Sequence, residues 1–158
     1  TTLKAATTST IATGALDATF SGGLSGAGDL VKTGTGKLTL GANSVTGGLT
    51  VEAGTTEFAS SSIGFSSVTV RDGASLAGTG DLALASGSTL TLEIGGLSEF
   101  ASVSVGGAFD AADATLNVIF VNEFTAMLGA SFSLFNFTSF EGDFAQVNIA
   151  AGEGLYWD

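Results

Sequence analysis

Leu49-Thr50-Val51-Glu52-Ala53-Gly54 returns as Val68-Thr69-Val70-Arg71-Asp72-Gly73 and again as Leu90-Thr91-Leu92-Glu93-Ile94-Gly95. The copies begin 19 and then 22 residues apart. Side chains alternate across a strand, so each triplet sets two aliphatic residues on one face and a threonine on the other. A three-residue strand cannot bury an apolar face by itself. Like strands stacked about 4.8 Å apart bury a continuous column and pair their backbone groups above and below. Each six-residue unit therefore predicts one side of a stacked coil, with a solvated threonine ladder outside and glycine at the corners.

Outward from this unit, Gly34-Thr35-Gly36-Lys37-Leu38-Thr39-Leu40 recurs 44 residues later as Gly78-Thr79-Gly80-Asp81-Leu82-Ala83-Leu84. That offset reads as two periods of about 22, the length of one turn of a parallel β-helix. An antiparallel sandwich also spaces short strands between turn residues every 8–12 positions or so. Repetition of the residues themselves, and not only of the pattern, favours the solenoid. The first clear strand is expected at Ala15–Phe20, and the Thr/Ala-rich stretch through Ser9 carries little pattern.

The character changes near residue 100. Nine of the 12 phenylalanines lie between Phe100 and Phe144, and the Gly-x-Gly turns thin out. Thr115–Val121, Ser131–Phe137 and Phe144–Ile149 are expected as strands, and Glu123–Leu128 as a single helical turn closed by Gly129. The expected organisation is one domain over 1–158. Positions 10–99 form Gly/Thr-rich repeat rungs, and 100–158 form wider, phenylalanine-filled rungs or a cap.

Composition agrees with short strands between glycine turns. Glycine contributes 24 of 158 residues, about twice its usual share, and proline is absent. Hydrophobic residues reach 44% with a mean hydropathy of +0.48, which disordered chains do not show. The formal charge is -11, with Lys4, Lys32, Lys37 and Arg71 the only basic residues. Nucleic acid and anionic membrane surfaces would be repelled, so neither is an expected partner. No apolar run reaches the ~18 residues of a membrane-spanning helix, so no membrane insertion is expected. The first residue is Thr1 rather than Met, which suggests either processing or the boundary of an excised segment.

Lys32-Thr33-Gly34-Thr35-Gly36-Lys37-Leu38-Thr39-Leu40, followed by Gly47-Gly48-Leu49-Thr50-Val51-Glu52-Ala53-Gly54-Thr55, resembles the autotransporter-associated β-helix repeat, the passenger repeat of Gram-negative surface proteins. A degraded second copy lies around Gly78. The C-terminal half is similar to the segment found after such repeats in large exported proteins: a Phe-x-Gly-x-Phe turn like Phe140–Phe144, and a Gly-Leu-x-Trp-Asp ending like Gly154–Asp158. In that group the chain continues into a further strand and a sorting tail. The resemblance implies a right-handed β-helix, export and a surface location, and it names no substrate; an extracellular-matrix location is an expectation that comes with a structural role.

Catalytic chemistry is not expected. Without His or Cys, no Ser/His/Asp or Cys/His arrangement can exist. The carboxylate pairs Asp110 with Asp113, Glu141 with Asp143, and Glu153 with Asp158 all fall in turns, where acidic residues serve solvation. No cofactor is expected. Calcium, through oxygen ligands, is the one metal the composition leaves open. Gly22–Leu30 bears a superficial likeness to a calcium-binding nonapeptide but misses its spacing. Asn136-Phe137-Thr138 fits an N-glycosylation sequon inside an expected strand. A solenoid ends in unpaired strand edges. The expected role is therefore structural: self-association by axial stacking, with Leu16, Phe20, Val147, Ile149, Tyr156 and Trp157 as candidate assembly contacts. The alternative is a fragment of an adhesin or autotransporter passenger, acting as a spacer or holding an extracellular glycan.

Overall fold

The structure, a computed structural model, describes residues 1–150. The chain coils through three strand positions per rung. The first rung comprises β1 (Thr2–Leu3), β2 (Thr8–Ala12) and β3 (Ala18–Phe20); the second, β4 (Leu24–Gly26), β5 (Asp29–Thr33) and β6 (Lys37–Leu40). The third holds β7 (Asn43–Val45), β8 (Gly48–Val51) and β9 (Thr55–Phe58), and the fourth β10 (Ser67–Val70) and β11 (Ser75–Gly78). Then come β12 (Leu82–Ala83), β13 (Thr89–Ile94) and β14 (Ser102–Val105), followed by β15 (Ala108–Asp110), β16 (Thr115–Phe120) and β17 (Phe135–Asn136). The last described strands are β18 (Ser139–Glu141) and β19 (Gln146–Ile149).

Like positions stack into parallel sheets. One side is a seven-stranded sheet ordered β2-β5-β8-β10-β13-β16-β19; the next is six-stranded, β3-β6-β9-β11-β14-β17. The third side is split into β1-β4-β7 and β12-β15-β18. Across that split, Asn43 Oδ1 accepts from the Gly64 amide at 3.0 Å, and Ser62 bridges Ala83 in parallel. The protein is a β-solenoid, with no helix among the described residues.

The repeated triplets stack as their spacing predicts. Leu49, Val68 and Leu90 are in register and buried, as are Val51, Val70 and Leu92. Thr50, Thr69 and Thr91 form the matching outward column. Each aliphatic side chain fully withdrawn from water contributes about 1.5–3 kcal/mol. The interior column is therefore the main source of cohesion between rungs.

The 44-residue offset has a different meaning from the one its spacing suggests. Leu38 lies in the six-stranded sheet, paired with Ala18 and Thr56, whereas Leu82 lies on the third side, paired with Phe109. The two Gly-Thr-Gly stretches open strands on different sides. A glycine turn before a short apolar strand is the same local chemistry at any corner, so its recurrence does not fix the period.

Other expectations shift at the margins. The low-pattern N-terminal stretch contains β1 and the start of β2, and the strand expected at Ala15 begins at Ala18. Glu123–Leu128 is not helical: Asn122 and Glu123 both take φ of 56°, and Phe124 N donates to Val121 O at 3.0 Å. The strand expected over Ser131–Phe137 shrinks to Phe135–Asn136, because Leu134 N turns back onto Phe132 O at 3.1 Å. The Phe132 ring then packs against Phe100, Phe120 and Phe124.

The rungs widen toward the C-terminal end. Stacked partners in the seven-stranded sheet are 19 residues apart at Leu30 and Leu49 and again at Leu49 and Val68. The separation becomes 22 at Val68 and Leu90, 26 at Leu90 and Leu116, and 31 at Leu116 and Val147. The added residues lie mostly between the seven- and six-stranded sheets, where phenylalanines fill the extra space.

Candidate functional site

The sides of the stack are occupied by internal bonding. Asp17 Oδ1 accepts from the Lys37 amide (2.8 Å), Asp29 Oδ1 from Gly48 (2.7 Å) and Asp81 Oδ1 from Ala108 (2.9 Å). Each acceptor lies one rung before its donor, so these carboxylates act as staples along the axis. Asp29, within the calcium-like stretch, is used in this way.

The expected carboxylate pairs come together at one corner. Asp110 is in register with Glu141, and the Asp113 amide donates to the Asp143 carbonyl at 3.1 Å. The Asp110 carboxylate is turned onto the Ala112 amide at 2.9 Å. Among the described residues, no group of three or more acidic side chains is arranged to hold a metal ion. Glu153 and Asp158 lie outside the described residues.

Three of the four cations, Lys32, Lys37 and Arg71, are equally committed. Lys37 pairs with Glu57 at 3.0 Å and Arg71 with Glu93 at 3.3 Å, each across adjacent rungs. Lys32 is fully buried, although sequence reasoning assigns it no part. It stands in the interior column between Ile11 and Val51, and its Nζ donates to Gly34 O, to Ala53 O at 2.7 Å and to Thr13 Oγ1 at 3.2 Å. These partners belong to three successive rungs. Burial pushes the ammonium below its ordinary pKa, and the Asp17 carboxylate pulls the other way. The clue in the sequence was the alternation of Leu30-Val31-Lys32, which aims Lys32 inward with Leu30.

This corner also packs backbone against backbone. A Cβ at Gly36 would stand 2.1 Å from Leu16 O, and one at Gly54 would stand 2.6 Å from Thr35 O. Gly54 has φ of 66°, a region open chiefly to glycine.

The candidate assembly residues divide between the two ends. Leu16 is 77% exposed at the corner between β2 and β3, and Phe20 ends β3 partly packed on the core. Val147, 49% exposed, and Ile149 lie on β19 at the far edge of the seven-stranded sheet. Tyr156 and Trp157 lie outside the described residues. At the same end, Phe135, Phe137, Phe140 and Phe144 line a depression of about 240 Å³. Asn136 of the sequon is exposed at the end of β17.

The outward column continues from Thr91 to Asn117 and Asn148, whose amides bond at 2.9 Å. It contains no aromatic ring on which a sugar could stack.

Residues 30–57 match the passenger-associated-transport-repeat family. They run from Leu30 through the Lys32 corner to Glu57, across β5 to β9. No curated protein and no solved structure matches the chain significantly.

Proposed function

We propose, for a chain that carries a passenger-associated-transport repeat within a parallel β-solenoid, that it is a rigid spacer segment of an exported surface protein. The repeat family points to an autotransporter passenger and hence to export and surface association. The spacer role rests on one observation: acidic and basic side chains on the sides bond from rung to rung. Examples are Asp17 to Lys37, Asp29 to Gly48 and Arg71 to Glu93. Such bonding stiffens the axis and leaves little chemistry for a lateral ligand.

A second reading is axial self-stacking into filaments on the cell surface or in an extracellular matrix. It is supported by β2 and β19 standing as the outer strands of one sheet among the described residues, and by the exposure of Leu16 and Val147 near those edges. A head-to-tail contact of this kind does not close and propagates. The widening of the rungs, from 19 to 31 residues between stacked partners, favours the spacer, since the two ends differ in outline. Negative-stain electron microscopy of the chain at high concentration separates them. The spacer reading gives single short rods, and filaments would replace it with the second.

A further inference from the structure

Asn136-Phe137-Thr138 is the one Asn-x-Ser/Thr triplet in the chain, and its middle residue is not proline. A triplet this short recurs by chance, so the placement of its side chains decides whether it can act. Phe135 stands in register with the buried Val103, and Phe137 stacks on the buried Phe109 with ring centroids 6.1 Å apart. The rings on both sides of Asn136 are therefore anchored in the core. Alternation turns Asn136 outward, in line with Ser104 and Ala77 of the preceding rungs. Asn136 and Ser104 are both exposed. Ser104 and Ala77 are short, which leaves space beside Asn136 for a sugar ring.

The other four asparagines are committed. Asn43 Oδ1 accepts from Gly64 at 3.0 Å, Asn122 Nδ2 donates to Asp72 at 2.9 Å, and Asn148 Nδ2 donates to Asn117 Oδ1 at 2.9 Å. The Asn136 side chain bonds to no described residue. Thr138 is held by its amide, which donates to Gly107 O at 2.9 Å, and by its hydroxyl, which donates to Gly106 O at 3.1 Å. Its oxygen keeps acceptor capacity beyond that bond. Residues 138–143 are exposed without interruption, so the triplet leads into a stretch that a modifying enzyme can reach.

We propose that Asn136 is an N-glycosylation site, whose co-substrate is a sugar activated by a phosphate linkage to a nucleotide or a lipid carrier. Asn136 Nδ2 attacks the anomeric carbon, and the new C–N bond forms as the bond from that carbon to the phosphate oxygen breaks. The phosphate leaves with the electron pair, and the amide proton passes to a basic group of the transferase. The product sets a bulky, solubilising group on the side of the rod. It lies toward the same end as Phe140, an aromatic ring left 43% exposed. The inference stands apart from the spacer reading, since a lateral sugar is carried equally by single rods and by filaments.

Mass spectrometry of the protein recovered from the cells that produce it tests the proposal. Cleavage after Glu123 and Glu141 releases residues 124–141, in which Asn136 is the only asparagine. This peptide is expected to carry a sugar, placed on Asn136 by fragmentation. Masses that grow one sugar at a time identify a nucleotide donor, and a single preassembled block a lipid-linked one; both agree with the proposal. Thr138→Ser should keep the sugar, whereas Asn136→Gln and Thr138→Val should lose it. The outward position of Asn136 predicts an unchanged thermal midpoint for Asn136→Gln, which separates loss of the acceptor from loss of the fold. An unmodified peptide, a sugar on a serine or threonine instead, or a modification that survives in Asn136→Gln would overturn the proposal.

Discussion

Lys32 Nζ donates to the backbone carbonyl of Ala53, one rung further on, at 2.7 Å from inside the apolar column. A buried ammonium is costly unless its protons are satisfied. Here the carbonyls of Gly34 and Ala53 and the hydroxyl of Thr13 supply partners on three rungs. The reciprocal benefit is that corner carbonyls turned away from the ladder obtain a donor. Lys32→Met keeps much of the side-chain bulk and removes that donor. It should destabilise by roughly 1–3 kcal/mol at neutral pH, the cost of stranding buried acceptors. Urea denaturation of both chains checks this, and an unchanged midpoint would make the bonds to Lys32 dispensable.

The same lysine gives a signed pH dependence. Its folded-state pKa lies below the ordinary value of 10.5, chiefly through burial, so the unfolded chain binds this proton more tightly. Stability attributable to Lys32 should therefore rise as pH climbs from the lowered value toward 10.5. Other groups cancel in the comparison with Lys32→Met. The difference in denaturation midpoint between the two chains should move in favour of the lysine as pH is raised. Movement the other way would mean that the carbonyl cage outweighs desolvation.

Thr56 is fully buried in the inward column between Leu38 and Leu76, and its hydroxyl has no hydrogen-bond partner. Valine has the same outline without the hydroxyl. Thr56→Val should stabilise by about 1 kcal/mol, read as a raised thermal midpoint. A lowered midpoint would show that the hydroxyl is satisfied in solution.

Gly36 is set against the neighbouring rung so closely that a Cβ would meet Leu16 O at 2.1 Å. Backbone cannot yield as a side chain does. Gly36→Ala should cost roughly 1–3 kcal/mol, the usual range for overpacking. Gly80, with nothing within 4 Å of a Cβ, is the control at which Ala is tolerated. Equal effects at the two sites would contradict the close-approach argument.

The acidic side chains act as backbone staples, so the fold should not depend on a divalent cation. Excess calcium or a chelator should leave the thermal midpoint unchanged, while Asp29→Ala lowers it through loss of the Gly48 contact, a stability loss of about 1 kcal/mol. A midpoint that rises with calcium concentration would indicate a site of the kind the composition leaves open.

Legibility in the sequence depended on the physics of each feature. The column Leu49–Val68–Leu90 was legible because residues and spacing repeat together, and stacking demands both. The offset from Gly34 to Gly78 misled because turn chemistry is local and the same at any corner. The loop around Asn122 and Glu123 was not legible as a turn: neither residue is glycine, yet both adopt positive φ. At the ends, Leu16 and Val147 could be placed by chain order. The bowl around Phe109 could not, since it gathers rings from several strands and loops.

A rod whose sides are spent on holding adjacent rungs together, as proposed for this solenoid, should stay separate from its neighbours. Negative-stain electron microscopy of the purified chain at increasing concentration distinguishes this from end-to-end assembly. Separate short rods of uniform length are expected at every concentration. Filaments that lengthen with concentration would contradict the claim and transfer the function to the ends.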